Sequence, residues 1–119
     1  MEGRPDQGLA RHQRLTRSSG FREAYDQGRK FVGRYMVMYL RSGEGAALRL
    51  GVVTGRKVGP SVDRSRARRL LREAYRRHRH LWQGDVDVVL VARAALLKAD
   101  WEDVVADLTA LAQRAGLAR

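Results

Sequence analysis

Residues 61–80, SVDRSRARRLLREAYRRHRH, constrain this chain more than any other stretch. They hold eight arginines against two acids, Asp63 and Glu73, and so carry more than half of the chain's net charge of +11. At 100° per residue, Ala67, Leu70, Leu71, Ala74, His78 and Leu81 fall on one helical stripe. Arg68, Arg69, Arg72, Arg76 and Arg79 cover the opposite arc, with Arg66 and Arg77 at its edge. Any fold must therefore give this helix a core on one side and open space on the other. Ser61 is expected to cap its first turn, where Asp63 also suits the helix dipole. Charged helix faces usually mix signs at i,i+4, because like charges at that spacing repel. Here Arg68, Arg72 and Arg76 repeat one sign with little acid to relieve it, which is tolerable if an external polyanion neutralises them. The pattern favours a nucleic-acid-binding helix over a merely solvated face.

The rest of the composition agrees. A length of 119 residues with 44% hydrophobic content supports one folded domain with a single core. The net charge and a pI near 11.3 point to a polyanionic partner, nucleic acid ahead of an anionic membrane. Arginine outnumbers lysine 21 to 3. Genomic base composition can produce that preference, but not the excess of positive over negative charge. Arginine also offers bidentate contact to phosphate and can stack on bases. The chain has no cysteine, which excludes disulfides and thiolate metal sites. Its first residues lack the apolar stretch of a signal peptide, and its longest apolar run, around residues 86–92, is far short of the ~20 residues of a membrane span. A cytoplasmic protein is expected.

Along the chain, residues 1–13 read as a flexible arm. A short helix capped by Ser18 or Ser19 is expected to run to Gln27 and stop at Gly28, with Phe21 and Tyr25 on one face. Residues 31–40 read as a strand, with Tyr35, Val37 and Tyr39 on one face and Met36, Met38 and Leu40 on the other. The turn 42–45 (SGEG) leads to a second strand, 47–54, expected to pair antiparallel with the first. The connection 55–60 (GRKVGP) has two glycines and two cations, so its backbone can approach a phosphate. After the arginine helix, residues 86–92 read as a central strand because they are almost continuously apolar. A last helix, capped by Asp100, would bury Trp101, Val104, Val105, Leu108 and Leu111. The expected architecture is an α+β sandwich in one domain, in the order α-β-β-α-β-α, with one mixed sheet.

The segment 49–76 resembles the signature of the bacterial ribonuclease P protein subunit. That family shows a strand, a K-K-x-G turn and a helix opening R-N-R-x-K-R-x-x-R-E. Here the turn is Arg56-Lys57-Val58-Gly59, and the helix opens Arg64-Ser65-Arg66-Ala67-Arg68-Arg69-Leu70-Leu71-Arg72-Glu73. Arg14, Leu15, Phe21, Tyr25, Gly28, Arg29 and the strand 34–39 fit its N-terminal half; the strand 87–93 and the helix 101–111 fit its end. The chain departs from the pattern at Arg56, Pro60 and Ser65. The resemblance implies a domain over residues 14–115, followed by a short tail, 116–119. It implies a subunit that does no chemistry alone, but binds the catalytic RNA of ribonuclease P and assists removal of the 5′ leader from precursor tRNA. Arg56, Lys57, Arg64, Ser65, Arg66, Arg68, Arg69 and Arg72 would contact the catalytic RNA. Phe21, Tyr25 and Tyr39 would line a cleft for the single-stranded leader. Mg²⁺ would be used by the RNA subunit, with no small-molecule substrate and no membrane partner. The arginine helix would form a left-handed crossover between parallel strands, against the usual right-handed rule.

Independent nuclease chemistry needs paired acids for metal ions or a histidine poised as general base. His78 and His80, two apart on a helix, point to different sides, and His12 stands alone. Asp85 and Asp87 share one side of a strand end, where a charged margin explains them better than a cation site. No Ser/His/Asp arrangement is readable. A purely structural RNA-binding protein, such as a small ribosomal protein, shares the charge and size, but has no need of a joint aromatic cleft. An anionic-membrane binder would leave exposed the apolar face that the core requires.

Overall fold

The fold, seen in a computed structural model that describes residues 13–16 and 18–119, has three helices and a four-stranded sheet. Their order is α1 (Ser18–Gln27), β1 (Lys30–Val32), β2 (Met36–Ser42), β3 (Leu50–Val53), α2 (Ser61–His78), β4 (Val86–Ala92) and α3 (Trp101–Arg114). The expected arm, residues 1–13, lies outside the described residues apart from Gln13.

Strand β4 organises the sheet. Its near-continuous apolar sequence is buried on both faces except at half-buried Val91. It sits inside the order β1-β2-β4-β3, antiparallel to β2 and parallel to β3. Helix α2 is thus the crossover between two adjacent parallel strands. Two expectations fail here. The stretch 31–40 is two strands rather than one, because a turn at 33–35 folds β1 back on β2 as an antiparallel pair. The anticipated hairpin between the first strand and the stretch 47–54 does not form, since β4 lies between β2 and β3 and takes the hydrogen bonds of both.

Alternation along the strands divides the apolar residues between two faces. Met36, Met38, Leu40, Leu50, Val88 and Leu90 pack against Ala67, Leu71, Ala74 and Tyr75 of α2 and Val104, Leu108 and Leu111 of α3. Among the described residues, the other face meets α1 and the segment before it, through Leu15, Phe21 and Ala24 against Tyr39, Val53, Val89 and Val91. The result is the expected α/β sandwich, with α2 and α3 on one side and α1 on the other.

The helix ends follow local chemistry. Helix α1 ends where Gly28 turns at φ 69°, a region that glycine enters without a Cβ penalty. Gln27 then clasps β2, donating to the Ser42 carbonyl at 2.8 Å and accepting from its N–H at 2.7 Å. Helix α2 is entered through Pro60 rather than capped by Ser61. Pro60 holds the extended conformation before the first turn, and the Ser61 hydroxyl accepts from Arg64 at 3.2 Å. Asp63 lies in the first turn as expected. At the other end a 3-10 turn, Arg79–Leu81, breaks the 3.6-residue phase. Leu81 therefore swings outward, 62% exposed, and Trp82 enters the core instead. His78 is only half-buried. Tyr75, absent from the expected stripe, is fully buried; its hydroxyl donates to the Leu48 carbonyl at 2.5 Å. Trp101 also departs from expectation. It is 37% exposed, with the Arg77 guanidinium 5.6 Å from its ring centroid. Asp100 does stand at the α3 N-cap, its carbonyl accepting from Val104, though its side chain makes no capping bond.

One charged group is wholly inside. Asp87 is fully buried and accepts from the backbone N–H of Ala47 and Arg49, from the Arg49 guanidinium at 2.8 and 3.1 Å, and from Arg41 at 2.8 Å. Arg41 in turn donates to Glu23 of α1 at 2.8 Å. The chain of charges runs from the sheet interior to α1 and fixes where that helix lies.

Candidate nucleic-acid interface

The arginines of α2 divide into two groups once their partners are known. Arg76 and Arg77 both bind Glu73, whose carboxyl is held below the usual carboxylate range by hydrogen bonds, first from Arg76 and then from Arg77. Arg79 donates to the carbonyls of Ala47 and Leu48. Arg68 donates to the Thr54 hydroxyl at 2.8 Å and to Ser65 at 3.2 Å, and Arg64 to Ser61. Arg66, Arg69 and Arg72 are exposed and have no ion pair or hydrogen-bonding partner among the described residues. Spaced three apart, they span ~9 Å of helix at 1.5 Å per residue. Arg56 and Lys57 are likewise exposed, on the 3-10 turn Arg56–Val58 that packs beside the start of α2. The eight positions of the signature thus lie together. Five are unpaired cations, while Arg64, Ser65 and Arg68 bond to neighbouring side chains.

The second surface is the sheet face under α1. The strand registers set it out in rows. Gly51, Val89, Tyr39 and Lys30 form one row across all four strands. Val53, Val91, Val37 and Val32 form the next. Helix α1 lies over the first row. Phe21 packs on Gly51, Ala24 is buried in the cluster with Val89, and Tyr25 meets Tyr39 edge to face with ring centroids 4.9 Å apart. The structure thus brings the three expected aromatics to one side of α1, where Phe21 and Tyr39 stay half-buried and Tyr25 is 41% exposed. Burial, and then proximity to Tyr39, raise the Tyr25 phenol above its ordinary value, so it is neutral at physiological pH. The valine row lies partly open beside it: Val53, Val91 and Val37 are half-buried and Val32 is 45% exposed.

Gly51 is where a side chain would do most harm to this surface. A Cβ there would lie 2.5 Å from Phe21 Cε1. Gly51→Ala is expected to cost about 1–3 kcal/mol as overpacking, read from the midpoint of urea unfolding. An unchanged midpoint would mean that Phe21 moves aside freely.

Sequence reasoning missed the valine row, which shows only when four strands are set in register. It also read Asp85 and Asp87 together as a charged strand margin, and Asp87 departs from that reading by being fully buried. Asp87 is saturated by two arginines, and Asp85 is exposed outside β4. No cluster of three or more metal-ligating side chains occurs among the described residues, and no helix there is long and apolar enough to cross a membrane.

A small α+β domain with a cationic helix face and a half-open aromatic and aliphatic sheet face is the class that these features define. The family model described as Ribonuclease P matches residues 9–116, and the chain belongs to the bacterial ribonuclease P protein family. It is 36% identical over 99 residues to the ribonuclease P protein component of Lachnoclostridium phytofermentans, covering 83% of this chain and 85% of that one. It is 31% identical over 109 residues to that of Syntrophomonas wolfei, covering 92% of each. Its fold matches the RNase P protein of Thermotoga maritima with a TM-score of 0.75 at 27% identity, over 85% of this chain and 96% of that one. The Staphylococcus aureus protein superposes with a TM-score of 0.78 at 21% identity, over 90% and 98% of the two chains. Proteins of this family are the protein component of the tRNA 5′-processing enzyme ribonuclease P.

Proposed function

We propose that this chain binds the catalytic RNA of ribonuclease P through the exposed cations of α2 and the preceding turn, and the 5′ leader of precursor tRNA through the cleft beside α1. The observation that carries the first half is the unpaired stripe Arg66, Arg69 and Arg72, flanked by Arg56 and Lys57. Like charges held this close on one rigid helix repel one another in the free protein, and that repulsion is relieved when phosphates replace water around them. Arg68 and Arg64 act from behind this stripe. Arg68 ties α2 to Thr54, just past the end of β3, and Arg64 bonds to Ser61 within the helix's own first turn; both add charge from these held positions.

The cleft supplies what a single strand needs. Aromatic faces at Phe21, Tyr25 and Tyr39 accept unpaired bases of any sequence, typically at ~1–3 kcal/mol per stacked base. The RNA subunit supplies the reaction chemistry and uses its Mg²⁺. On the protein side, the carboxylates of Glu73, Asp87 and Asp107 are each engaged by arginines or backbone amides. The protein's part is to neutralise the RNA and to hold the leader. The cytoplasm, where precursor tRNA is processed in bacteria, is the site of action in this reading.

A cleavage assay at low magnesium tests the proposal, with the catalytic RNA alone, the protein alone and the two together. Leader removal restored only by the pair supports it. Binding without any change in cleavage would leave a purely structural RNA-binding role. Tyr39→Ala tests the cleft separately. It should weaken binding of precursor tRNA by ~1–3 kcal/mol and leave mature tRNA binding nearly unchanged. Equal losses for both would remove the leader from this face.

A further inference from the structure

Resting on the leader-cleft reading above, we infer that the leader crosses the valine row and is anchored at its far end by Arg34, in the β1–β2 turn. The row Val53–Val91–Val37–Val32 runs straight across the sheet from β3 to β1. At 4.8 Å between strands it spans ~14 Å. One end opens, two residues after Val53, onto Gly55 and the exposed cations Arg56 and Lys57. The other end opens, directly after Val32, onto Gly33 and Arg34. A half-buried apolar strip, most open at Val32 and bounded at both ends by cations, has the chemistry of a single strand's bed, with bases on the valines and phosphates at the ends.

The hairpin end is built to hold a phosphate. Asp107 of α3 accepts the backbone N–H groups of Arg34 and Tyr35, at 3.0 and 2.9 Å, which fixes the turn. Arg93 donates to the Gly33 carbonyl at 2.8 Å, and Arg114 to that of Val32 at 3.0 Å. Arg34 itself is exposed and makes no side-chain hydrogen bond among the described residues; its guanidinium lies 5.7 Å from the Tyr35 ring centroid. One turn therefore carries Arg34 and takes hydrogen bonds from Arg93 and Arg114, while Asp107 is engaged by its backbone N–H groups. Arg93 and Arg114 are held by the hairpin backbone. Arg34 is free to take a phosphate.

The test is a leader-length series, measured with the reconstituted holoenzyme and precursor tRNAs whose leaders grow one nucleotide at a time. Arg34→Gln removes a charge but no hydrogen bond, so the fold is expected to persist, and an unchanged thermal midpoint verifies that. With wild-type protein, affinity should rise with leader length until the turn is reached. Arg34→Gln should remove the final increment, roughly threefold between 50 and 200 mM salt, and flatten the salt slope by about 0.7 for one single-strand phosphate contact. Arg34→Lys should keep most of that increment. Affinities for mature tRNA and for the catalytic RNA should not move. Tyr39→Ala, run alongside, should lower affinity at shorter leaders. Its failure to do so would remove the cleft reading itself. A Tyr39 effect with an unaltered length profile in Arg34→Gln would overturn the Arg34 anchor alone. A loss in Arg34→Gln shared by mature tRNA or by the catalytic RNA would overturn it equally, moving Arg34 to another RNA surface.

Discussion

Asp87→Ala is expected to destabilise the protein by about 3–5 kcal/mol, the usual cost of removing one partner from a buried ion pair. Asp87 is fully buried and is the common acceptor for Arg41 and Arg49, and only 9% of the Arg41 side chain is exposed. The substitution would leave that guanidinium with Glu23 and the Glu44 carbonyl alone, and would orphan the N–H groups of Ala47 and Arg49. Urea unfolding should show the loss as a lower midpoint. A change below about 1 kcal/mol would mean that water enters and replaces the carboxylate. The same group predicts a pH dependence. Burial alone would raise the Asp87 carboxyl, but hydrogen bonds from Arg49 and the backbone outweigh it and hold the pKa below the ordinary value. A depressed folded-state pKa stabilises fully above the unfolded carboxylate range, and that contribution is lost as pH falls through the folded value. Wild-type stability should therefore decline in acid, below about pH 4, more steeply than that of Asp87→Asn.

The largest effect on binding is expected from replacing Arg66, Arg69 and Arg72 together with glutamine. Each is exposed, so the substitutions break no hydrogen bond or ion pair among the described residues. If each meets one phosphate of the catalytic RNA, the slope of log affinity against log salt should flatten by roughly 2–3 units. That corresponds to a loss of roughly 20–60-fold in affinity at 50 mM salt relative to 200 mM. The matched control is Arg76 with Arg77, both paired to Glu73. Their replacement should flatten the slope much less. Equal slopes for the two variants would mean that α2 does not face the RNA with its free stripe.

The amphipathic division of α2, the stop at Gly28 and the central place of β4 were legible because each is local: a period, a glycine, a run of apolar residues. The features that escaped are those decided by partners distant in sequence. Gly33 marks a turn because Asp107, 74 residues later, caps it. Arg68 looks like its neighbours on a helical wheel, yet it is tied to Thr54. Leu81 keeps the α-helical phase on paper, and a 3-10 turn throws it outward. The aromatic positions were found through family resemblance, since an i,i+4 pair such as Phe21 and Tyr25 reads equally well as core. The valine row has no linear signature, because its members come from four strands.

The insertion of β4 between β2 and β3 also governs when this protein can exist during its synthesis. Until residues 86–92 leave the ribosome, β3 has no neighbour but the bridge at Arg14, and β2 pairs only with the three residues of β1. A two-stranded hairpin this short is not stable by itself in water. The apolar stripe of α2 therefore lacks a complete sheet to pack on until the final third of the polypeptide arrives. A chain that ends before β4 lacks the one strand that joins β2 to β3, and with it the floor on which α2 is packed.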